Sequence, residues 1–311
     1  MLQIQSGQMI GPCTVQGFLG RGAFAQVHAA SDPAGRPVAL KVGDDSGGGR
    51  FLPRFGEVTL TRDPRAVSPD ETPAEALFLD PSSGARAEIL DSHEVDELLV
   101  SEAGILAAVD VPGVPRLLDV VHQDGRPVLV MEQVEGVTLR QRIRSMEGVK
   151  LGWLLEACRT LEDLYAAGWI CHGDLKPENI LVGPDERIHL IDPVPESCRA
   201  DRIVTTPWYN PFLRWDTKGD AQAVAIILYE LMAGGLPFEV VPYPMAGVTS
   251  TQLTDEQRDL ELSMYLSYPR MRDLNALAPR QIESLFHRAM CDASYGLPEL
   301  RADLEDFLMR H

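Results

Sequence analysis

Three polar side chains with a spacing suited to phosphate chemistry lie in the stretch HGDLKPEN at 172–179. Asp174 could accept or orient a hydroxyl proton, Lys176 could neutralise a transferring phosphate, and Asn179 could hold a metal ion. The simpler explanation is a polar loop that caps a helix, in which case the spacing would be accidental. An acid, a cation and an amide within one short loop favour phosphoryl transfer.

An acid at the end of the next predicted hairpin could complete a metal site. Asn179 immediately precedes the first strand of ILVGPDERIHLID, and Asp192 ends the second strand. Antiparallel pairing around the GPDE turn would return both side chains to the same end. The alternative is a pair of polar strand ends that face water. Because two hard oxygen ligands beside Asp174 suit Mg²⁺, we expect a magnesium site there.

A lysine and a glutamate that are far apart in the sequence are candidate partners. In PVALKV, strand alternation puts Ala39 and Lys41 on one face, where a small apolar side chain and a cation would suit an adenine ring and its phosphates. Glu102 falls within the apolar stripe of a helix predicted over 92–109, and a carboxylate buried there needs a cation. Each residue alone is more simply a solvated surface charge. The helical phase of Glu102 favours an ion pair with Lys41.

The segment GFLGRGAFAQV contains a glycine pattern that could cover phosphates. Gly20 and Gly22 flank a turn, Ala25 occupies the place of a possible third glycine, and Val27 begins the next strand. A dinucleotide-binding fingerprint requires a helix after the glycines, whereas AQVHAA continues as a strand. A plain hairpin turn is the simpler alternative. The functional interpretation is a glycine-rich flap whose bare backbone lies over phosphates.

The elements that must position these residues change type along the chain. Strand patterns predominate first and helical periodicity follows. We therefore predict an α+β fold with a small β-rich lobe at 1–133 and a larger helical lobe at 134–311. Residues 43–91 interrupt the first lobe and are rich in Pro, Asp and Gly, with two short apolar pieces, FGEVTL and EALFL, that could pair as strands. A solvated loop is the first interpretation of this insertion, and a regulatory flap that touches the helix of Glu102 is the second.

Composition limits the classes of partner. The chain has 311 residues, 45% of them hydrophobic, and a formal net charge of −18. This charge disfavours nucleic acid and anionic membranes as partners. The five cysteines are scattered without a CxxC pair, which favours a reducing compartment over a disulfide framework or zinc site. No apolar stretch is long enough to span a bilayer. The cysteine usage leads us to expect a cytoplasmic protein.

Taken in order, these segments resemble the eukaryotic-like (Hanks-type) Ser/Thr protein kinases over most of the chain outside 43–91. GRGAFAQV resembles the glycine-rich loop, VALK the strand that carries the ATP-phosphate lysine, and HGDLKPEN the catalytic loop. VMEQVEG resembles the hinge, which implies Met131 as gatekeeper and backbone contacts from Glu132 and Val134 to adenine. The resemblance implies a bilobal protein-kinase-like fold, ATP and Mg²⁺ as cofactors, and a protein substrate with a Ser or Thr hydroxyl.

The resemblance also assigns roles to individual residues. The catalytic residues would be Asp174, Lys176, Lys41 and Glu102, and the metal ligands Asn179 and Asp192. The nucleotide-binding residues would be Gly20, Gly22, Val27, Ala39, Lys41, Met131, Glu132, Val134 and Leu181. In TTPWYNP, Thr206 would contact Asp174 and Lys176. Asp220, at the start of a central helix, would brace the catalytic loop.

Several positions depart from the family pattern. Gly173 replaces the arginine that reads a phosphorylated activation loop, so that switch is not expected here. Pro193 and Val194 replace Phe-Gly after the metal-site acid, and Pro193 fixes φ and lacks an N–H, which disfavours a flip of this segment. Phe212 or Leu213 occupies the place of a glutamate that usually ends the activation segment. The peptide-docking surface is therefore expected to differ.

Three functions are compatible with this pattern. The leading hypothesis is an active ATP- and Mg²⁺-dependent Ser/Thr protein kinase, because every charged group that the reaction needs is present. A pseudokinase that holds nucleotide or a partner without turnover is favoured by Ala25 and Pro193. A small-molecule kinase is the third hypothesis, and Lys176 argues against it. The insertion could bind a regulatory partner.

Overall fold

The computed structural model describes residues 4–22, 24–44, 50–53, 58–62, 77–79, 88–145, 148–194, 202–203, 206, 208–211, 214–238, 240–243, 259, 262–263 and 265–311. Its strands are β1 (Met9–Ile10), β2 (Cys13–Arg21), β3 (Ala25–Ser31), β4 (Pro37–Gly43), β5 (Arg50–Pro53), β6 (Val58–Arg62), β7 (Leu77–Leu79), β8 (Glu88–Ile89), β9 (Leu117–Gln123), β10 (Arg126–Glu132), β11 (Val137–Thr138), β12 (Ile180–Val182), β13 (Ile188–Leu190), β14 (Arg202–Ile203) and β15 (Val240–Tyr243). Its helices are α1 (Ser92–Ala107), α2 (Leu139–Ser145), α3 (Leu151–Ala166), α4 (Thr217–Ala233), α5 (Met271–Leu274), α6 (Arg280–Cys291) and α7 (Leu297–Arg310). A β-rich first part followed by a helical second part confirms the predicted α+β class.

A six-stranded antiparallel sheet positions the lysine of the candidate site. Its strand order is β1-β2-β3-β4-β10-β9. One face of β4 buries Val38, Leu40 and Val42 in an apolar cluster, as strand alternation predicts. The opposite face carries Ala39 and Lys41, and Lys41 reaches α1 from there. The alternation of β4 therefore separates its core residues from its candidate site residues.

Helix α1 carries Glu102 and begins at a capping box. The Asp91 carboxylate accepts from the Glu94 N–H at 2.9 Å, and the Glu94 carboxylate accepts from the Asp91 N–H at 2.9 Å. The helix ends at Ala107, two residues before the predicted end, where the Ala108 N–H closes a tighter turn onto the Ile105 oxygen. Glu102 is 1% exposed, which confirms the burial predicted from its position in the apolar stripe of the helix.

Helices form the core of the second part of the chain. The apolar face of α3 is buried as its periodicity predicts, and α4 is buried on every side from Gly219 to Tyr229. The Asp216 side chain caps α4 by accepting from the Gly219 N–H at 2.8 Å. Asp220 thereby enters the interior of the fold. Among the helices that the structure describes, none has the length and apolar character to cross a membrane.

Two described strands of the insertion, β5 and β6, pair with segments that belong to the helical part. β5 pairs with β8 on one side and with β14 on the other, and β6 pairs with β7 and with β15. The solvated-loop interpretation is therefore wrong for these strands, and the prediction that the apolar pieces FGEVTL and EALFL pair as strands is confirmed for their described residues. Outside the insertion, its described strands pair with β14 and β15. Leu90, near its end, packs against Val95 and Leu98 of α1, so the α1 contact of the second interpretation is also present. The domain boundary between residues 133 and 134 stays a prediction.

Candidate active site

The ammonium group of Lys41 lies between two carboxylates from distant parts of the chain. Lys41 Nζ donates to Glu102 Oε1 at 2.7 Å and to Asp192 Oδ1 at 2.6 Å. The Lys41 side chain is only 4% exposed, and the ring of Phe24 lies with its centroid 5.5 Å from Nζ. A strand, a helix and the segment after β13 therefore meet at one cation.

The charge states of this cluster follow from burial and from Lys41. Burial alone would lower the pKa of Lys41, but Asp192 and Glu102 outweigh it and raise that pKa. Burial raises the pKa of Glu102, against the influence of Lys41. Burial also acts to raise the pKa of Asp192, but the positive charges of Lys41 and Lys176 lower it. The cluster thus keeps a cation at Lys41 and an ionised carboxylate at Asp192.

Asp174 is fixed by three groups around its carboxylate. Oδ2 accepts from Lys176 Nζ at 2.7 Å, and Oδ1 accepts from the Thr206 N–H at 2.6 Å. Lys176 Nζ also donates to Thr206 Oγ1 at 2.7 Å, and Asn179 Nδ2 donates to the Asp174 carbonyl at 2.8 Å. Burial would lower the pKa of Lys176, but Asp174 reverses this and raises it. The structure therefore brings Asp174, Lys176, Asn179 and Thr206 together.

The catalytic-loop backbone is attached to α4 through Asp220. The Asp220 carboxylate accepts from the His172 N–H at 2.6 Å, from the Gly173 N–H at 3.0 Å and from Tyr165 Oη at 2.7 Å. Burial raises the pKa of Asp220, and burial lowers the pKa of His172. His172 Nε2 lies 3.0 Å from the carbonyl oxygen of Ile191. The loop and the segment of Asp192 are thus supported by one buried scaffold.

The two candidate metal ligands lie at the same end of the β12–β13 hairpin. Ile180 pairs with Leu190, and the Ile191 N–H donates to the Asn179 carbonyl at 3.0 Å. Because Asn179 Nδ2 is used by Asp174, Oδ1 is the side-chain atom left for a cation. Groups of three or more His, Cys, Asp or Glu that could hold a metal are absent from the described part of the chain. One carboxylate and one amide oxygen fit Mg²⁺, which keeps waters and substrate phosphates as its other ligands.

The candidate nucleotide-binding residues lie mostly on neighbouring strands. Ala39 pairs with Met131, and Lys41 pairs with Val27. Val27 in turn pairs with Gly20 in the glycine-rich hairpin. Directly paired residues of antiparallel strands have their side chains on the same face of the sheet. This register therefore places the predicted residues of β3, β4 and β10 next to one another.

The glycine-rich turn closes over the metal-site acid. The Gly22 N–H donates to the Ala25 carbonyl at 2.7 Å, which makes the turn tight. A Cβ placed on Gly22 would lie 4.0 Å from Asp192 Oδ2. The backbone of this turn therefore approaches the Asp192 carboxylate closely, as a flap over phosphates requires.

The predicted hinge residues follow β10. The Glu132 N–H donates to the Arg116 carbonyl at 2.9 Å, so this N–H is engaged within the protein. Val134 is partly buried just after the strand. Leu181 lies in another sheet, where it pairs with Thr138 and His189. Contacts of Glu132, Val134 and Leu181 with adenine stay predictions.

A buried ion network beside the catalytic loop was missed by the sequence analysis. Arg140 Nε donates to Glu178 Oε1 at 2.7 Å, Nη1 donates to Glu230 Oε1 at 2.6 Å, and Nη2 donates to Tyr209 Oη at 2.5 Å. Tyr209 Oη donates to Glu230 Oε2 at 2.6 Å. The network joins α2, the catalytic loop, the segment of Thr206 and α4. The sequence feature that could have indicated it is Glu178, a charged residue of HGDLKPEN to which no function was assigned.

Two predicted departures from the family pattern lie at the two ends of the activation segment. Pro193 and Val194 are described, and the Val194 N–H donates to the His172 carbonyl at 2.9 Å. Phe212 and Leu213 lie outside the described residues, so the predicted departure at the end of the activation segment is not described.

Comparison with known proteins identifies the family to which the chain is similar. The sequence profile of the protein kinase domain matches residues 86–290. Sperm motility kinase 3A of Mus musculus is 26% identical over 235 residues, which cover 65% of this chain and 43% of that protein. A probable serine/threonine-protein kinase of Clostridium perfringens is 29% identical over 167 residues, which cover 49% of this chain and 24% of that protein. The chain spans less than half the length of these curated relatives.

Solved structures share the fold. PpkA-294 in its apo form superposes with a TM-score of 0.65 at 16% identity, covering 97% of this chain and 99% of that chain. The PknI kinase domain of Mycobacterium tuberculosis superposes with a TM-score of 0.59 at 17% identity, covering 98% and 99% of the two chains. These likenesses confirm the kinase-like fold that the sequence predicted. With the matched profile, they show that the chain belongs to the protein kinase domain family.

Proposed function

We propose that this chain is an ATP- and Mg²⁺-dependent Ser/Thr protein kinase that transfers the γ-phosphate of ATP to protein hydroxyl groups. The observation that carries the proposal is the double contact of the Lys41 ammonium with Glu102 and Asp192. It unites the proposed phosphate-binding cation with the proposed metal-binding carboxylate. The Asp174, Lys176 and Thr206 cluster supplies the second half of the site.

Each side chain has a part in this proposal. Asp174 orients the attacking hydroxyl and receives its proton, and Lys176 neutralises the charge of the transferring phosphoryl group. Lys41 binds the phosphates, and Glu102 positions Lys41. Asn179 and Asp192 would hold Mg²⁺, which neutralises phosphate charge when bound. Preorganised charges of this kind supply most of the catalysis in phosphoryl transfer.

The regulation and location of the protein are also proposed. Gly173 has no side chain to read a phosphate, so we propose that an arginine-based activation-loop switch does not control the enzyme. The insertion at 43–91 is the proposed binding region for a regulatory partner, supported by the pairing of β5 with β14 between Asp192 and Thr206. The scattered cysteines support the cytoplasm as the proposed location.

Labelled ATP tests the proposed reaction. The wild-type chain, incubated with γ-labelled ATP, Mg²⁺ and a generic Ser/Thr protein substrate, is expected to label serine or threonine. Asp174→Asn is expected to lose this labelling. Asp163→Asn, on the exposed face of α3, is the matched control and should label as the wild type does. Equal labelling by the wild type and Asp174→Asn would contradict the proposal.

A nucleotide-binding pseudokinase is the second candidate function. The observation in its favour is that Pro193 and Val194 follow the metal-site acid in place of Phe-Gly, and that Ala25 stands in place of the last glycine of the glycine-rich loop. A thermal shift with ATP and Mg²⁺, without transfer to any acceptor, would establish this function instead. Labelling of a metabolite alone, with no protein labelled, would indicate a small-molecule kinase.

A further inference from the structure

A small apolar cluster joins α1 to the segment that follows Asp192. Leu90, Val95, Leu98 and Val194 are its buried members, and Phe24 and Trp215 pack against them. Val95 and Leu98 belong to the helix that carries Glu102, and Val194 lies two residues after Asp192. The cluster thus connects both carboxylates that bind Lys41, although none of its side chains takes part in the proposed chemistry.

The ring of Trp215 occupies the space beside Gly173. A Cβ placed on Gly173 would lie 2.9 Å from Trp215 Cζ3, 3.1 Å from Cε3 and 3.4 Å from the Cβ of Val194. Gly173 also has φ of +82°, in the region that favours glycine. A larger residue at position 173 and the indole of Trp215 therefore exclude each other. The indole fills this volume and meets Val194 from the same side.

Val194 transmits this packing to Asp192 through a short stretch of backbone. The Val194 N–H is tied to the His172 carbonyl at 2.9 Å, which fixes one end of the stretch. Asp192 itself has φ of +55°, a conformation that a non-glycine residue keeps only when its surroundings hold it. A shift of Val194 would therefore redirect the Asp192 carboxylate away from Lys41.

We propose that Trp215 is a positioning residue that acts through Val194 to hold the Asp192 carboxylate toward Lys41 without a phosphate on the chain. This inference deepens the proposed function and rests on it for the role of Asp192. Trp215 does not touch the reacting groups in this account. Its role is to keep the Asp192 carboxylate oriented toward Lys41.

The requirement for Mg²⁺ distinguishes positioning from simple packing. Trp215→Ala is expected to raise the Mg²⁺ concentration for half-maximal transfer by about ten- to a hundredfold, as with other residues that support a metal ligand. Affinity for a non-hydrolysable ATP analogue should weaken in the presence of Mg²⁺ and stay unchanged in its absence. Trp215→Phe keeps a ring beside Gly173 and should retain most of the wild-type behaviour.

Trp169→Ala is the matched control. Trp169 is also partly buried, but it packs against the large helical core rather than the cluster of Val194. Its removal should lower thermal stability and leave the Mg²⁺ requirement unchanged. An equal rise in the Mg²⁺ requirement for Trp169→Ala, or no rise for Trp215→Ala, would overturn the inference. If Trp215→Ala does not fold, Trp215→Leu replaces it in the same comparison.

Two further measurements separate the possible failures. Wild-type protein treated with phosphatase, and shown by mass spectrometry to carry no phosphate, should keep its Mg²⁺ requirement. If its Mg²⁺ requirement instead rises to that of Trp215→Ala, a phosphate on the chain rather than Trp215 positions Asp192. Hydrogen exchange at the Val194 amide needs neither nucleotide nor turnover, and it should quicken in Trp215→Ala but not in Trp169→Ala. If the wild type transfers no phosphate, the proposed function fails while the exchange and analogue-binding results still decide this inference.

Discussion

Lys41 and Asp192 are separated by 151 positions in the sequence, yet Lys41 Nζ lies 2.6 Å from Asp192 Oδ1. The same ammonium lies 2.7 Å from Glu102 Oε1. Three elements, β4, α1 and the segment after β13, are therefore held at one point by a single buried cation. The energetic consequence is that the two carboxylates depend on Lys41 for compensation of their charge.

Removal of the shared cation should lower both phosphate transfer and stability. Lys41→Met leaves Glu102 and Asp192 facing each other, so we expect phosphate transfer to fall by about 10²- to 10³-fold. Thermal stability should also fall at pH 7 and recover partly in mild acid, where Glu102 takes up a proton. Lys150→Met is the control, because Lys150 pairs with Glu186 at the surface. Undiminished transfer by Lys41→Met would exclude its proposed role.

Loss of Arg140 should destabilise the fold strongly. Arg140→Met leaves Glu178 and Glu230 with buried, uncompensated charge, which typically costs about 3–5 kcal/mol. Urea unfolding measures this loss. The triple variant Arg140→Met, Glu178→Gln and Glu230→Gln should recover much of it, because no buried charge then remains. Arg187→Met, at an arginine with a 64% exposed side chain, should change little.

A methyl group at Gly43 should displace α1. A Cβ there would lie 2.6 Å from Val95 Cγ1 and 2.8 Å from Arg126 Nη2, and Arg126 holds Asp96 of α1 through contacts of 2.8 and 3.0 Å. Gly43→Ala should therefore cost about 1–3 kcal/mol of stability and raise KM for ATP.

Gly104→Ala provides the control for this substitution within α1. A Cβ on Gly104 meets no atom within 4 Å, so this change should raise stability by about 0.5–1 kcal/mol through helix propensity. An unchanged KM for ATP in Gly43→Ala would show that α1 tolerates the displacement.

Buried histidines should make stability decrease in mild acid. His28 is 5% exposed, and burial lowers its pKa from the ordinary value of 6.5. Below about pH 6.5 the unfolded chain therefore binds more protons than the folded chain, so the free energy of unfolding falls as pH falls. His172 contributes in the same direction. His28→Phe should flatten the decrease between pH 7 and pH 5 by at most about 1.4 kcal/mol per pH unit.

The comparison uses denaturant unfolding at several pH values. His93→Gln serves as the control, because the His93 side chain is 80% exposed on α1. An identical pH slope in the wild type and His28→Phe would mean that folding does not shift the pKa of His28.

Strand pairing by the insertion should protect the segment between Asp192 and Thr206. Leu52 pairs with Ile203, and Leu60 pairs with Val241. Because proline removes a backbone donor from a ladder, Leu52→Pro should quicken hydrogen exchange at 202–203 and leave 240–243 unchanged. Leu60→Pro should do the reverse, so each variant is the control for the other. Equal effects of both variants at both places would mean that the two ladders are not independent.

Much of the fold could be predicted from local pattern. The alternation of β4 and the capping box of α1 are local signals, and both have the predicted geometry. Glu102 was identified from one carboxylate within an apolar helical stripe. Asp174, Lys176 and Asn179 were identified from their spacing within one loop. In each case the informative residues are neighbours in the sequence.

The ion pair of Lys41 with Glu102 was predicted because a buried carboxylate needs a cation. Other contacts between distant segments could not be predicted from local pattern. Arg140 binds partners 38 and 90 positions away, and no local periodicity marks such a set. The pairing of Trp215 with Gly173 depends on the approach of two loops. Among the described residues, the ladder between β5 and β14 joins two residue pairs, and a signal of that length in the sequence resembles a turn. These relationships come from tertiary packing.

The most direct measurement of the central claim is the rate of γ-phosphate transfer in a single turnover by nucleotide-saturated protein. The wild type should phosphorylate serine or threonine of an acceptor protein. Asp174→Asn should bind the nucleotide equally well and transfer about 10²- to 10⁴-fold more slowly, because only the group that orients the hydroxyl is changed. Equal rates for the two proteins, or no transfer by the nucleotide-bound wild type, would contradict the claim.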